Sequence, residues 1–137
     1  MKKSKCFVLD TNVIVSGILF PNSVPALAIK KAFNTGKVIV SEETMKELTR
    51  ILSDNRFDKY VSFAKRQVFL LNFENVSEIV EHIDNVKLSR DPNDDKFLSL
   101  ANSGKASAII TGDSDLLTLH PFGKIQIITP VEFLEKF

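Results

Sequence analysis

Acidic side chains follow two apolar segments of the sequence, at the point where each segment ends. Asp10 comes directly after the run Cys6–Leu9, and Asp113 follows the run Ala108–Thr111. Short continuous runs rich in Val and Ile are typical of buried parallel strands, and ligands bind beyond the carboxyl ends of such strands. Both aspartates are therefore expected at the edge of a sheet where functional sites form.

Two further groups of acidic residues lie in segments with helical patterns. Glu47 falls within a helix predicted over Ser41–Leu52. A cluster of carboxylates opens the helix predicted over Asp94–Ser103, and its members are Asp91, Asp94 and Asp95. Each has a structural explanation when taken alone, because aspartate favours helix N-termini and turns, and a helical glutamate is usually exposed.

Taken together, these carboxylates predict a site for a divalent cation. Like charges at contact distance raise one another's pKa unless a cation compensates them. Oxygen ligands without His or Cys partners favour Mg²⁺ or Mn²⁺ over zinc. Carboxylate pockets that hold such ions hydrolyse phosphodiesters, so the pattern favours a hydrolase that acts on a nucleic acid.

Alternating apolar runs and helical patterns predict one α/β domain over residues 1–137, with a mostly parallel sheet covered on both faces. The predicted strands are Cys6–Leu9, Lys37–Val40, Ala108–Thr111 and Lys124–Ile128. The predicted helices are Pro25–Phe33, Ser41–Leu52, Lys59–Phe73 and Asp94–Ser103. A capping box at Thr129–Glu132, with proline at the first helical position, predicts a last helix. The segment Ser77–His82 fits either a strand or the tail of a helical hairpin.

Composition favours a cytoplasmic protein and argues against thiol chemistry. The 137 residues are 44% hydrophobic, which suffices for a core without disulfides. The single Cys6 cannot form an internal disulfide, so a reducing compartment is expected. Nothing near Cys6 in the sequence would lower its pKa, which argues against a catalytic thiol. Asp10 interrupts the first apolar run, and no membrane span is predicted.

The net charge of +1 does not by itself indicate a nucleic-acid-binding protein. An anionic strand that approached an acidic site would nevertheless need basic residues around it. The candidates are Lys2, Lys3, Lys5, Lys30, Lys31, Lys37, Lys59, Lys65, Arg66 and Arg90. His82 and His120 have no partner spacing that indicates catalysis, so we interpret them as structural or surface residues.

Four segments of the sequence resemble the motifs of the PIN-domain family, in the family's order and spacing. They are Phe7–Asn12 with its Asp-Thr-Asn, Ser41–Leu48 with a glutamate, Asp91–Ala101 with an acidic residue opening a helix, and Ile110–Leu117. Each motif is short and weak alone, but together they span nearly the whole chain. The resemblance is closest to stand-alone PIN proteins assigned as VapC-like toxins of bacterial and archaeal toxin–antitoxin pairs.

This resemblance implies a three-layer α/β/α fold with a central, mostly parallel sheet, single-stranded RNA as substrate and Mg²⁺ or Mn²⁺ as cofactor. It also implies a small antitoxin partner and frequent homodimers. Carried over position by position, the catalytic acids are Asp10, Glu47, Asp95 and Asp113. The metal ligands are Asp10, Asp95, Asp113 and Asp115, and the supporting polar residues are Thr11, Asn12, Thr111 and Ser114. Asp94 and Asp91 are the alternatives to Asp95 as the third acid.

Other interpretations make different demands on the sequence. A phosphatase of the haloacid-dehalogenase type needs a second aspartate two residues after the first, where this chain has Asn12. A receiver domain needs paired acids after the first strand, which are also missing. A non-catalytic PIN scaffold or RNA-binding module would lose acids that this chain keeps. A housekeeping RNA-processing nuclease would share every feature described above.

Overall fold

Five parallel strands form a single sheet within residues 5–88 and 91–137, the residues that this computed structural model describes. The strands are β1 Lys5–Leu9, β2 Gly36–Val40, β3 Glu78–Ile79, β4 Ala108–Ile110 and β5 Gln126–Ile128. Their order is β3-β2-β1-β4-β5, with every neighbouring pair parallel. Strand β1 is therefore central, and its carboxyl end lies in the middle of one edge. The basic candidates Lys2, Lys3 and Arg90 lie outside the described residues.

Helices cover both faces of this sheet. They are α1 Thr11–Leu19, α2 Val24–Thr35, α3 Glu42–Leu52, α4 Phe63–Val76, α5 Asp95–Ser103, α6 Ser114–Leu117 and α7 Pro130–Lys136. Short 3₁₀ turns lie at Asn55–Phe57 and Pro92–Asp94. Among the described residues no single helix is long and apolar enough to cross a bilayer, and α1 and α2 meet that test only jointly, across a bend of 111°.

Alternation along the strands divides the interior into two cores. Phe7 and Leu9 of β1 face a core built with α1, α2, α3, α4 and α7. Val8 faces the opposite core, which α5 and α6 complete. Because successive strand residues point to opposite faces, a strand covered on both sides must be apolar throughout. The predicted three-layer α/β/α architecture is confirmed.

Local signals placed several helix ends correctly. The Ser41 side chain accepts a hydrogen bond from the Thr44 N–H, and Thr129 and Glu132 form the predicted capping box of α7. Gly36 ends α2, donating its N–H to Ala32 O. A side chain at Gly36 would collide with the Lys5 carbonyl, so glycine lets β1 and β2 approach closely.

Other boundaries differ from the predictions. Helix α4 begins at Phe63 and not at Lys59, because Ser62 caps it by accepting the Lys65 N–H. The ambiguous segment Ser77–His82 contains the short strand β3, which pairs with β2. Helix α1 was not predicted. Helix α1 is apolar around most of its circumference, so it lacks the polar face by which an amphipathic helix is detected.

Arg66 was one of the basic candidates for contact with an anionic strand, and its burial removes it from that set. Its side chain is completely buried in α4. The guanidinium donates to the carbonyl oxygens of Leu52, Val61 and Asp54 and to the Asp58 carboxylate. A buried arginine needs this many acceptors, because its five N–H groups have lost water.

Candidate active site

Asp10 lies at the centre of the sheet edge, where β1 ends and α1 begins. Its backbone N–H donates to Ile110 O at 3.0 Å, which ties the end of β1 to β4. Its side chain is buried, and Oδ2 accepts a 2.7 Å hydrogen bond from the hydroxyl of Thr111. Burial raises the pKa of Asp10, as do the nearby charges of Asp113 and Glu47, while the Thr111 bond opposes the rise.

Three aspartates form a second group, which we call the aspartate cluster: Asp94, Asp113 and Asp115. Asp94 directly precedes α5, and the other two follow β4. Each offers one carboxylate oxygen, and these oxygens all lie within 4.8 Å of one another. Asp113 is oriented from both sides, because its N–H donates to Thr111 Oγ1 at 3.0 Å and its Oδ1 accepts the Asp115 N–H at 2.9 Å. Thr111 thus holds both Asp10 and Asp113.

Asp94 is the least satisfied member of the cluster. It is 8% exposed, and its Oδ2 is buried with no hydrogen-bond partner among the described residues. Burial raises the pKa of Asp94 to about 7, and the neighbouring carboxylates of Asp113, Asp10 and Asp91 add to the rise. An unpartnered buried carboxylate oxygen is costly, so this position favours a cation.

The other two candidates for the third acid have different surroundings. Asp95 opens α5, and its Oδ1 accepts the backbone N–H of Leu88 at 3.1 Å. Asp91 is exposed and caps the 3₁₀ turn by accepting the Asn93 N–H at 3.0 Å. Asp94 is therefore the one of the three whose carboxylate oxygen meets those of Asp113 and Asp115.

Glu47 approaches Asp10 from α3 and has a partner on each oxygen. Oε2 accepts a 2.6 Å hydrogen bond from the Thr11 hydroxyl, and Oε1 lies 3.2 Å from Nζ of Lys96. Lys96 was missed by the sequence analysis, although it stands within the third motif. Asn12 and Ser114 occupy exposed positions in the first turns of α1 and α6, beside Asp10 and Asp113.

An open groove of about 1000 Å³ lies beside the acidic residues, between α3 and the segment 79–85. Lys96 is shared between this groove and the contacts of Glu47, but Asp10 and the aspartate cluster do not line it. Its walls carry acidic as well as basic side chains, including Glu42, Glu43, Lys46 and Arg50. Because side chains of both charges line the groove, its size alone does not indicate that a polyanion binds there. The candidate catalytic carboxylates lie at the sheet edge.

The arrangement fits a hard divalent cation. Every candidate donor is a carboxylate oxygen, and three of them converge. In the part of the chain that the structure describes, one of these oxygens is buried without a partner. Mg²⁺ and Mn²⁺ prefer this kind of oxygen donor and keep several waters, so three or four carboxylates suffice. Cys6 offers no competing chemistry, because burial and then Glu78 raise the pKa of its thiol.

The chain is similar to known proteins in sequence and in fold. Uncharacterized protein MJ1680 of Methanocaldococcus jannaschii is 33% identical over 141 residues, covering 95% of this chain and 90% of that protein. The crystal structure of VapBC2 from Rickettsia felis bound to a DNA fragment from their promoter matches with a TM-score of 0.62 and 15% identity, covering 90% of this chain and 98% of that chain.

Two further solved structures share the fold with similar TM-scores and sequence identities. VapBC-1 from nontypeable Haemophilus influenzae matches with a TM-score of 0.60 and 13% identity, over 92% of this chain and 98% of that chain. PAE2754 from Pyrobaculum aerophilum matches with a TM-score of 0.57 and 13% identity, over 97% and 91%. The family model described as PIN domain matches residues 6–115. The chain belongs to the PIN domain family.

Proposed function

We propose that this protein is an endoribonuclease that hydrolyses single-stranded RNA with the help of Mg²⁺ or Mn²⁺. The observation that carries the proposal is the buried Oδ2 of Asp94, which has no hydrogen-bond partner within residues 5–88 and 91–137, beside carboxylate oxygens of Asp113 and Asp115 within 4.8 Å. Carboxylates concentrated in this way repel one another without a cation. Such an ion would supply a water of lowered pKa and would stabilise charge on the phosphate.

The ion would be held by the aspartate cluster together with Asp10. We choose Asp94 as the third acid in place of Asp95, because Oδ1 of Asp95 already accepts the Leu88 N–H. Thr111 fixes the carboxylate of Asp10 and the backbone of Asp113 in register with each other. Glu47 keeps a negative charge beside Asp10, oriented by Thr11 and Lys96. Asn12 and Ser114, on the exposed rim, would orient water or phosphate.

We further propose that the nuclease is the toxin of a toxin–antitoxin pair, with a small antitoxin as its protein partner. Its four motifs resemble those of VapC-like ribonucleases, and two of the structures with the same fold are of VapBC proteins. A cytoplasmic location agrees with an RNA substrate and a lone cysteine. One domain over residues 1–137 agrees with the packing of α7 on α2 and with Phe133 in the first core.

The test is cleavage of labelled single-stranded RNA by the purified protein with Mg²⁺, with Mn²⁺ and with EDTA. Asp10→Asn and Asp94→Asn are expected to reduce cleavage at least about 100-fold, since each loses a group that holds the ion. Asp91→Asn is the matched control, because Asp91 is exposed and its Oδ1 caps a turn. Asp95→Asn is expected to stay within about tenfold of the wild type.

The opposite outcomes would be equally informative. Equal cleavage by the wild type and Asp10→Asn would indicate a contaminant. Loss of cleavage in Asp95→Asn with retention in Asp94→Asn would make Asp95 the third acid. No cleavage of any RNA by the folded wild type, with either ion, would favour a non-catalytic scaffold. Growth arrest on expression, relieved by a co-expressed partner, would separate a toxin from a housekeeping nuclease.

A further inference from the structure

Lys96 carries a positive charge almost completely inside the protein, next to the acidic residues. Its side chain is 9% exposed, and its Nζ lies 3.2 Å from Oε1 of Glu47. The same ammonium donates a 2.6 Å hydrogen bond to the carbonyl oxygen of Asn93. Lysine is rarely buried unless it is paired, because an ammonium loses hydration on burial. Lys96 and Glu47 therefore depend on each other.

The acidic residues fall into two halves that differ in whether their charge is already compensated. In the Glu47 half, Oε1 faces Lys96 and Oε2 accepts the Thr11 hydroxyl, so both oxygens are used. In the other half, Oδ2 of Asp94 has no partner among the described residues, and the carboxylate of Asp113 beside it carries a like charge. The need for an added cation is therefore greatest at Asp94.

We propose that Lys96 is a built-in cation that takes the place of a second divalent ion, so that the site binds one ion and not two. The inference rests on the proposed metal site and specifies its stoichiometry. A second divalent ion at Glu47 would have to displace the tethered ammonium or lie against it, and like charges at contact distance repel. Lys96 is a positioning residue, since it acts through Glu47.

The short distance in the chain between Asp94 and Lys96 means that the ion pair of Lys96 also helps to position Asp94. Lys96 lies in the first turn of α5, two residues after Asp94, while Glu47 belongs to α3. The ion pair thus joins α3 to the segment that presents Asp94. A lysine at this position fixes Glu47 and the start of α5 together, with no exchangeable ion in that half of the site.

The test is a titration of the whole protein with Mn²⁺. Binding is measured by isothermal titration calorimetry and by the electron paramagnetic resonance signal of free Mn²⁺. The wild type is expected to bind one ion. Lys96→Met is expected to bind a second ion, because the charge of Glu47 is then uncompensated, and to cleave RNA about tenfold more slowly. Lys96→Arg keeps the charge and is expected to restore one ion.

Lys46→Met is the matched control. Lys46 also belongs to the charged surface of α3 and pairs with Glu42 at 3.1 Å, but its side chain is 76% exposed. Its replacement removes one ion pair and one positive charge and is expected to leave the stoichiometry at one. Lys96→Gln serves in place of Lys96→Met if the latter does not unfold cooperatively, since its amide can still donate a hydrogen bond.

Three outcomes would overturn the inference. Two ions bound by the wild type would show that Lys96 does not replace one. A single ion of unchanged affinity in Lys96→Met, with unchanged cleavage, would leave the metal site intact and reduce Lys96 to a structural tie. No binding by the folded wild type would refute the proposed metal site itself. A change in melting temperature alone would not support the inference.

Discussion

The charge on Asp94 makes the stability of the ion-free protein depend on pH. Burial and Asp113 raise its pKa to about 7 in the folded state, whereas an unfolded aspartate titrates near about 3.9. The folded state therefore binds the proton more tightly. The stability that this proton contributes is complete below the unfolded pKa and is lost as the pH rises through about 7. The raised pKa of Asp10 acts in the same direction.

We therefore expect Asp94→Asn to stabilise the ion-free protein in alkaline solution. The gain should be about 1–3 kcal/mol near pH 8, the cost of an uncompensated buried group, and should shrink towards about pH 4. Urea unfolding in EDTA at several pH values measures this difference. Asp91→Asn, at an exposed position, is the control and should change little. An Asp94→Asn protein less stable than the wild type near about pH 8 would contradict the cause assigned to the pKa.

Sequence patterns located the acidic residues but could not orient every one of them. Asp94 and Asp95 are adjacent, and neighbouring positions at a helix start point about 100° apart. Which of them faces Asp113 depends on where the 3₁₀ turn of Pro92–Asp94 gives way to α5. The contact of Lys96 with Glu47 joins two helices that are distant in the chain, and no local pattern reports it.

Among the secondary structure elements, the connection between α3 and α4 depends on one buried side chain. Arg66 of α4 donates to Leu52 O, at the end of α3, with a distance of 2.7 Å. It also bonds to the carbonyls of Asp54 and Val61 within the connection. The Leu52 carbonyl is buried at this contact, so it depends on the guanidinium for its hydrogen bond. Arg66 thus adds a side-chain donor for the Leu52 carbonyl to the backbone hydrogen bonds of Ser53 and Asp54 that end α3.

We expect Arg66→Met to lower the free energy of unfolding by about 2–4 kcal/mol, because the buried Leu52 carbonyl loses its donor and the half-buried carbonyls of Asp54 and Val61 lose theirs. Asp58→Asn should cost less than about 1 kcal/mol, since the Asp58 side chain is 57% exposed. Urea denaturation of both variants measures the contrast. Equal stability of Arg66→Met and the wild type would show that water satisfies these carbonyls. A large loss in Asp58→Asn would instead make the ion pair the main term.

Element prediction succeeded where a local signal exists and failed where packing decides. The capping residues Ser41 and Thr129 act within three residues of themselves, so their helices could be predicted from sequence. Helix α1 has no such signal, because Asp10 precedes it without a side-chain cap and most of its apolar surface is buried. Its helical form follows from packing against α2 and α3, which only the folded chain provides.

In the molecule as a whole, parallel strand order brings together acids that are far apart in the sequence. Strands β1 and β4 are neighbours, so Asp10 and Asp113 meet at one edge. Asp10 also accepts the hydrogen bond of Thr111, which is 101 residues away in the chain. Strand-end acids and continuous apolar strands made this edge predictable. The sequence could not show that one half of the acidic site is compensated internally, since that depends on contacts between α3 and α5.

The whole molecule should therefore become more stable when the aspartate cluster binds an ion. Ligand that binds only the folded state adds about 1.4 kcal/mol for each tenfold excess over its dissociation constant. We expect Mn²⁺ at about 1 mM to raise the melting temperature by several degrees near about pH 8. The rise should be smaller near about pH 6, because protons on Asp94, with its pKa of about 7, compete with the ion.

Differential scanning calorimetry at the two pH values, with NaCl of matched ionic strength as the control, measures this shift. Asp94→Asn and Asp113→Asn should each abolish most of it, because each removes one oxygen of the aspartate cluster. The Asp84 side chain is exposed, and its carboxylate lies 3.6 Å from His82 Nε2. Asp84→Asn is therefore the control and should leave the shift unchanged. A shift of the same size in Asp94→Asn, or a larger one near about pH 6, would place the ion away from this cluster.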